Sequence, residues 1–516
     1  MINHISLSLT DLLGEPYVEA VCRARAALTG DSPEALMAIA GEQVEFFPEW
    51  MARRQDELMG LVGTQVAPAA GFANDGAPSD SFRAATRTAA SPVNAFGCYR
   101  VGEDGRLYLA AKSEHYHIPL GHSFPGYRLI ENAGRLGIPN ATHNNTRGYI
   151  TRLMERELVR AANGLGREDG AGLEMVLGKR EPGVLNRVIN LETGSLAVEA
   201  ALKMMLGRFY GIDREGAPYS GKTPVFLVMG DYAGGTGANY HGTTVLEQTL
   251  RGYWKEWYGK SEQAGLYKVV PVAINDEADF AAKLAQYNEG NYKTAGFCHE
   301  IVLMNYGGIR LREQYLREAY RLCRLYDTPV LCDEIQSCAW YPELFLFRQY
   351  GLSPDFVSVG KGFPGGLFPA SKILFSGAYD NLIQFGALVT NGQEELASLA
   401  YLITLRFLEA NGAHIAECGK AYMAQMAELA VRFPGILAGV EGDGHMAALR
   451  FHDPARAEDF CRRMNAACVD VSVQSYKANC PPVALTKLPV IVSRTIIGAL
   501  ADKMARCLET IGKERV

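Results

Sequence analysis

Two chemically reactive residues each close an apolar run that is typical of a buried strand. Lys361 ends the run DFVSVGK and is followed by glycines, and Asp333 ends the run TPVLCD. An apolar environment disfavours the charged form of a lysine, and a neutral amine is what formation of a Schiff base requires. The alternative for Lys361 is a surface lysine in a glycine-rich turn.

Asp333 needs a cationic partner if it is buried. The protonated ring nitrogen of pyridoxal 5′-phosphate (PLP) would be such a partner, because PLP enzymes use an acid to keep that ring an electron sink. A helix N-cap and a metal ligand are the alternatives for this aspartate. Positions 333 and 361 differ by 28, and two residues that each close a strand are stronger evidence for a PLP site than either residue alone.

A third segment, LETGSLAVEAALKMM, has the features of a phosphate site. Gly194 and Ser195 begin a predicted helix whose apolar face carries Leu196, Ala200 and Met204. The free N–H groups and the dipole at a helix N-terminus favour an anion, and glycine lets the backbone approach it closely. The alternative is an ordinary serine N-cap.

The middle of the chain alternates between strand-like runs and helical patterns. The runs are TPVFLVMGD, YKVVPVAIN, FCHEIVLMN, TPVLCDEIQ and DFVSVGK. This alternation predicts an α/β fold with a mostly parallel sheet covered by helices on both sides. Ligands bind such sheets at the carboxyl ends of the strands, which is where the polar residues of these runs fall: Asp231, Glu300, Asp333 and Lys361.

The composition excludes several other functions. The 516 residues carry a net charge of −6, so we expect no binding to nucleic acid or to an acidic membrane surface. The 11 cysteines are widely spaced and form no Cys-x-x-Cys pair, which predicts no metal site and reduced thiols in the cytoplasm. No apolar stretch approaches the ~20 residues of a membrane span, and the N-terminus lacks the pattern of a signal peptide.

Six motifs resemble those of the class III (ω-type) aminotransferases, which are PLP enzymes of fold type I. TGSLAVEAALK resembles their SGTEAVEAALK segment, and DYAGGTGANYHGTT resembles their tyrosine-histidine-glycine segment. HEIVLMN, DEIQ and SVGKGFPGGLFP resemble EPVMMN, DEVQ and LGKAIGGGLP, and LGHSFPG resembles LGHxHP. The motifs keep the order of the family and extend from about residue 95 to residue 485.

The resemblance assigns three residues to catalysis. Lys361 would hold PLP as a Schiff base, Asp333 would pair with the pyridine nitrogen, and Glu300 would lie near the cofactor. His241 is expected to be structural and not catalytic.

The resemblance assigns five further residues to cofactor binding. Gly194 and Ser195 would bind the phosphate, Tyr240 would stack on the ring, and Gln336 would reach the phenolic oxygen. Thr390 corresponds to a threonine that reaches the phosphate of the neighbouring subunit, which implies a homodimer or a higher homo-oligomer.

The changes of pattern along the chain, together with the resemblance, predict four segments, the first of which has no counterpart among the family motifs. Residues 1–90 would form a helical N-terminal extension and linker, and residues 91–150 would contribute to the small domain. Residues 151–390 would form the large PLP-binding domain, and residues 391–516 a smaller α+β C-terminal domain. Within the extension we expect a helix capped by Ser32 and a second helix from Pro48, with Phe46, Phe47, Trp50 and Met51 buried.

The implied activity is amino-group transfer between an amine or amino acid and a keto acid or aldehyde. A racemase or epimerase, a decarboxylase and a mutase on the same fold are alternatives, and a non-catalytic relative is a further one. The arginine that often precedes the PPL motif of the family and grips a carboxylate is missing, since this chain has SYKANCPPVAL. Lys477 could replace it, as a point charge without a bidentate fork.

Overall fold

The N-terminal segment is largely helical. The computed structural model describes residues 2–72, 74, 76–112, 117–212, 216–474, 477 and 479–513. The segment contains β1 (Ser6–Leu7), α1 (Leu9–Leu13), α2 (Glu15–Thr29), α3 (Pro33–Ala40), β2 (Val44–Glu45), α4 (Glu49–Met59) and α5 (Asp80–Ala85). The prediction that Ser32 caps a helix is confirmed, because its side chain accepts the N–H of Ala35. The second helix begins after Pro48, as predicted.

Burial in this segment is as predicted except for one residue. Phe46, Phe47 and Met51 are fully buried. The expected burial of Trp50 is wrong, since this side chain is 54% exposed. It stacks on Phe96 with the ring centroids 5.8 Å apart, so only part of the indole surface is covered.

The next residues form a small antiparallel sheet that contacts the C-terminal part of the chain. Its strands are β3 (Pro92–Phe96), β4 (Tyr99–Gly102) and β5 (Leu107–Leu109). Bridges from Leu109 to Val469 and from Lys112 to Lys487 link this region to the C-terminal part of the chain. Helix α6 (Arg128–Arg135) follows.

A seven-stranded sheet forms the centre of the middle part of the chain. Helices α7 (Tyr149–Ala162) and α8 (Gly170–Gly178) precede it. The strands in this region are β6 (Leu185–Leu191), β7 (Thr223–Met229), β8 (Lys268–Val272), β9 (Tyr292–His299), the short pair β10 (Val302–Leu303) and β11 (Ile309–Arg310), β12 (Val330–Asp333), β13 (Phe356–Val359) and β14 (Ser371–Ser376). The sheet order is β6-β14-β13-β12-β9-β7-β8, and β14 runs antiparallel to both of its neighbours while the other six strands are parallel to one another.

Helices alternate with these strands along the chain. They are α9 (Gly194–Leu206), α10 (Val245–Leu250), α11 (Lys255–Gln263), α12 (Glu277–Gln286), α13 (Glu313–Leu325) and α14 (Leu346–Gln349). The predicted α/β fold with a mostly parallel sheet is confirmed, and all five predicted strands lie in this sheet. The sequence did not indicate β6 or β14. Polar residues interrupt the apolar run of β6, and two of them are buried because their side chains are hydrogen-bonded: Asn186 and Asn190.

The C-terminal part combines four helices with an antiparallel sheet. Its elements are α15 (Glu395–Ala410), α16 (Gly412–Arg432), β15 (Leu437–Asp443), β16 (Met446–Phe451), α17 (Pro454–Ala466), β17 (Ser472–Val473), β18 (Val483–Lys487) and α18 (Arg494–Lys513). The sheet order is β15-β16-β18-β17. Strand β18 ends at Lys487, next to the large sheet. Within the described ranges, every helix is too short or too polar to cross a membrane.

Candidate cofactor site

Lys361 and Asp333 lie at the same edge of the large sheet. Asp333 is the last residue of β12 and pairs in register with Ser358 of the neighbouring parallel strand β13. The hydroxyl of Ser358 donates a hydrogen bond to Asp333 Oδ1 over 2.5 Å. Lys361 follows shortly after β13 ends at Val359. The carboxyl ends of two adjacent strands therefore carry the two residues on which the sequence argument depends.

The backbone at Lys361 is strained. Its φ of +36° is unfavourable for a residue with a side chain and costs about 1 kcal/mol or more. The flanking glycines are required by close packing. A Cβ at position 360 would lie 2.2 Å from Ser371 Oγ, and one at position 362 would lie 2.5 Å from Trp340 Cζ3. Strain held in place by tight surroundings is characteristic of functional sites.

The carboxylate of Asp333 is held by three hydrogen bonds. His241 Nδ1 lies 2.9 Å from Oδ2, and the backbone N–H of Ile335 joins Ser358 in donating to Oδ1. Both Asp333 and His241 are buried. The other ring nitrogen of His241, Nε2, is buried and has no hydrogen-bond partner among the described residues. Asp333 is thus fixed in orientation at a site that still contains an unsatisfied polar atom.

Glu300 follows β9 and is 3% exposed. Burial raises the pKa of its carboxyl group well above the usual range, and the nearby charge of Asp333 raises it further. The positive charges of three lysines lower this pKa in part: Lys477, Lys361 and Lys487. Oε2 of Glu300 is buried without a hydrogen-bond partner among the described residues. A raised pKa favours the protonated form of this carboxyl group, which can donate a hydrogen bond to a bound molecule.

The predicted phosphate segment lies beside the end of β12. Helix α9 begins at Gly194, where a Cβ would lie 2.9 Å from Ile335 Cδ1, so glycine allows the close approach of helix and strand. Ser195 Oγ accepts the backbone N–H of Thr243 at 3.0 Å and lies 3.3 Å from the hydroxyl of that threonine. Two hydroxyl groups and a helix N-terminus thus face the same region, an arrangement suited to an anion.

Thr390 precedes a residue that is hydrogen-bonded close to the start of helix α9. It is exposed, and the backbone N–H of the next residue, Asn391, donates to Glu192 Oε1 over 3.1 Å. No described contact joins Thr390 to Lys361 or Asp333. Its expected role at the site of a neighbouring subunit stays a prediction.

Gln336 and Tyr240 complete the predicted set. Gln336 is buried, and its Oε1 accepts a hydrogen bond from Lys487 Nζ over 3.3 Å. Tyr240 is half-buried, and the guanidinium carbon of Arg251 lies 4.5 Å from the centre of its ring. The structure therefore adds two basic residues to this site, Lys487 and Arg251.

Comparison with known proteins identifies the family. The family model described as aminotransferase class-III matches residues 82–508. The chain belongs to the class III aminotransferase family. The predicted amino-group transfer, the PLP cofactor and the resemblance are thereby confirmed. The protein is a PLP-dependent aminotransferase of fold type I.

Curated relatives and solved structures agree with this assignment. The ornithine aminotransferase of Bordetella pertussis is 26% identical over 399 residues, covering 74% of this chain and 84% of the relative. The adenosylmethionine-8-amino-7-oxononanoate aminotransferase of Staphylococcus aureus is 25% identical over 268 residues, covering 49% of this chain and 57% of the relative. The structure of Toxoplasma gondii ornithine aminotransferase has a TM-score of 0.65 at 17% identity, covering 82% of this chain and 91% of that one. The Methanocaldococcus jannaschii adenosylmethionine-8-amino-7-oxononanoate aminotransferase also has a TM-score of 0.65 at 17% identity, covering 88% and 99%.

The site of this class III aminotransferase fits PLP on chemical grounds. A lysine amine, a buried carboxylate and a pair of hydroxyls at a helix N-terminus match the aldehyde, the ring nitrogen and the phosphate of the cofactor. Two buried polar atoms without a described partner, His241 Nε2 and Glu300 Oε2, indicate that the pocket is built to surround a further polar group.

Besides Arg251, sequence reasoning missed three residues of this aminotransferase site. His241 was expected to be structural, and nothing in its motif indicated a hydrogen bond to a residue 92 positions away. Thr243 follows it closely and could have been proposed from its hydroxyl next to a glycine. Lys487 lies in the C-terminal strand β18, and no local pattern separates it from a surface lysine.

Proposed function

We propose that this aminotransferase takes the amino group of a carboxylate-bearing donor, with Lys361 as the residue that holds the cofactor. The adjacency of Lys361 and Asp333 at two strand ends is the observation that carries this proposal. Bound PLP supplies an electron sink that stabilises negative charge at the substrate Cα. The remaining roles belong to side chains and backbone N–H groups of the protein.

The proposed roles follow from chemistry and position. Lys361 binds the cofactor and, once released, moves the proton at the substrate Cα. Asp333, oriented by His241, keeps a positive charge on the ring nitrogen. Gln336 donates to the phenolic oxygen, and Glu300 lies near the cofactor.

Contacts to the phosphate and to the ring face complete the proposed assignment. Gly194, Ser195 and the newly found Thr243 bind the phosphate, and Tyr240 covers one face of the ring. An aromatic ring in this position contributes contact area and stacking but no chemistry.

Two cations support a carboxylate-bearing donor. Arg251 stacks on Tyr240 and Tyr253, and its guanidinium forms no ion pair with a described residue. Lys477 donates to the backbone carbonyl of Asn305. Burial, and next the positive charge of Arg251, lower the pKa of Lys477 to about 8, while Glu300 opposes this shift. A substrate carboxylate would relieve the repulsion between the two basic groups.

We expect α-amino acids to convert the cofactor faster than the amines obtained by removing their carboxylate. The measurement is the loss of the yellow colour of the loaded enzyme with each donor, followed by its return when a keto acid is added. Carbon dioxide release would instead indicate a decarboxylase, and loss of optical activity without a keto acid would indicate a racemase. No change with any donor would favour a non-catalytic relative.

Arg251→Gln should raise the KM of amino acid donors by about 10-fold, because a charge-assisted contact to the carboxylate is lost. The KM of matched amines should be unchanged, and Arg251→Lys should restore much of the affinity. Donor binding should also weaken as the pH rises through about 8, where Lys477 loses its proton. Equal effects of Arg251→Gln on amino acids and amines would refute a carboxylate contact at this residue.

We propose a homodimer, supported by the exposure of Thr390 and its family role at a neighbouring site. Sedimentation should give a mass of twice 56.3 kDa. Thr390→Ala should weaken PLP affinity without dissociating the dimer, since the lost contact is to phosphate. A stable and fully active monomer would contradict both expectations.

We also propose the four-segment division at residues 90, 150 and 390 and a cytoplasmic location. The location is supported by the eleven cysteines, all of which are unpaired thiols. The bridges from Leu109 and Lys112 to the C-terminal part of the chain support the assignment of residues 91–150 to the small domain.

A further inference from the structure

Lys487 is a completely buried lysine at the boundary of the two sheets. It is 0% exposed and is the last residue of β18. Its backbone N–H donates to Ala111 O over 2.7 Å, which fixes the end of the strand. A buried ammonium group is costly unless its hydrogen bonds are satisfied. Its contacts therefore indicate what the residue is for.

The ammonium group of Lys487 contacts Gln336 twice. Nζ lies 2.5 Å from the backbone oxygen of Gln336 and 3.3 Å from its side-chain Oε1. Lysine has donors and no acceptor, so the side-chain atom that faces it must be the amide oxygen. The amide nitrogen of Gln336 is thereby turned away from Lys487, and it makes no hydrogen bond to a described residue.

Trp340 holds the same ammonium group from another side. Lys487 Nζ lies 3.5 Å from the centre of the indole ring, a short cation–π distance. The indole N–H donates to the backbone oxygen of Leu488 over 3.1 Å. The indole ring of Trp340 also packs against Gly362, the residue after Lys361. A Cβ at Gly362 would lie 2.5 Å from the indole. Lys487 is thus fixed between Gln336 and a tryptophan that packs against the lysine loop.

We propose that Lys487 is a positioning residue whose fixed charge turns the amide N–H of Gln336 towards the phenolic oxygen of PLP and strengthens that hydrogen bond. This inference rests on the proposed contact between Gln336 and the cofactor. The positive charge of Lys487 favours the deprotonated form of the phenolic oxygen through Gln336. It also disfavours protonation of the nitrogen that links the cofactor to Lys361.

Other charged groups contribute to the same field. The titratable groups around this position include Glu300, Glu334, Asp333, Lys361, Lys477, Lys112, His241 and the thiol of Cys338. These groups are all still present in a variant in which only Lys487 is substituted. A difference between variants at position 487 therefore reports the loss of one charge and its contacts.

The test is a pH titration of the visible absorption of the loaded enzyme. Lys487→Met removes the charge and keeps the length of the side chain, and it should move the titration midpoint upward by about one pH unit. Lys487→Arg should keep the midpoint near that of the wild type. The matched control is Lys372→Met, because Lys372 is equally buried but lies over Tyr401. This control should leave the midpoint unchanged.

A double-mutant cycle separates this inference from the proposed role of Gln336. Gln336→Ala should shift the midpoint and weaken PLP binding in equilibrium dialysis. Adding Lys487→Met to Gln336→Ala should produce less than the sum of the two single shifts, because the lysine acts through the glutamine. A shift with Gln336→Ala but none with Lys487→Met would overturn the inference and leave the role of Gln336 intact. No shift with Gln336→Ala would refute both.

A second substitution tests the proposal if Lys487→Met does not fold. Trp340→Phe keeps an aromatic ring beside Lys487 but weakens the cation–π contact. It should shift the midpoint in the same direction as Lys487→Met and by a smaller amount. If melting temperature falls in these variants with no change in midpoint, Lys487 is only structural and the proposal is wrong.

Discussion

Replacing Lys361 with alanine is expected to remove the yellow colour of the loaded enzyme and to reduce turnover by about 10⁴-fold. The variant loses both the covalent anchor of the cofactor and the group that moves the proton at the substrate Cα. The phosphate end of the site, built from Ser195, Thr243 and the start of α9, is unchanged. Equilibrium dialysis should therefore still detect bound PLP.

Two other lysines test whether the anchor is assigned correctly. Lys477 and Lys487 both act on Glu300, as Lys361 does, so their amines lie in the same region. Borohydride reduction of the wild-type enzyme, followed by digestion and mass spectrometry, should place the cofactor on the peptide that contains Lys361. A label on Lys477 or Lys487, or a yellow Lys361→Ala variant, would show that the anchor is elsewhere.

Asp333→Asn should retain the yellow colour but lower turnover by about 100- to 1,000-fold. Asparagine keeps the size of the side chain and removes the negative charge that maintains a positive charge on the ring nitrogen. The hydrogen bonds from His241 and Ser358 also change, because an amide offers one oxygen in place of two. Single-turnover absorbance measurements with an amino acid donor would show the slower step directly.

The adjacent carboxylate provides a matched control for Asp333→Asn. Glu334 is also fully buried, but it accepts the backbone N–H of Phe347 over 2.7 Å and the hydroxyl of Ser337. Glu334→Gln should therefore lower the melting temperature far more than it lowers turnover. If the two variants lost activity equally, the charge of Asp333 would have no special role.

Local sequence patterns predict those strands and helices whose apolar residues and caps lie within the element itself. The five apolar runs became five parallel strands because a strand covered on both faces is apolar along its whole length. The helix after Gly194 followed from its cap and its periodic apolar residues. Strand β6 escaped prediction because its buried asparagines are satisfied by residues from helices α7 and α8 and from the segment after α8, and such partners leave no trace in the strand itself.

The site residues, too, fall into those that the local sequence predicts and those that it does not. Lys361 and Asp333 could be predicted because each directly follows or ends an apolar strand. His241 and Lys487 could not be predicted, because their roles depend on hydrogen bonds to residues 92 and 151 positions away. The position of Thr390 with respect to a second subunit depends on contacts outside one chain.

The separation of Lys487 from Gln336 has a consequence for the order of events during synthesis. Strands β12 and β13 are close in the chain and can pair soon after both have left the ribosome, since closing a short loop costs little entropy. The ammonium that orients Gln336 arrives only with β18, after the whole seven-stranded sheet and most of the C-terminal part have been made. Such long-range contacts form late in folding. A nascent chain therefore completes its lysine and aspartate pair well before its pocket is ready to bind the cofactor with full affinity.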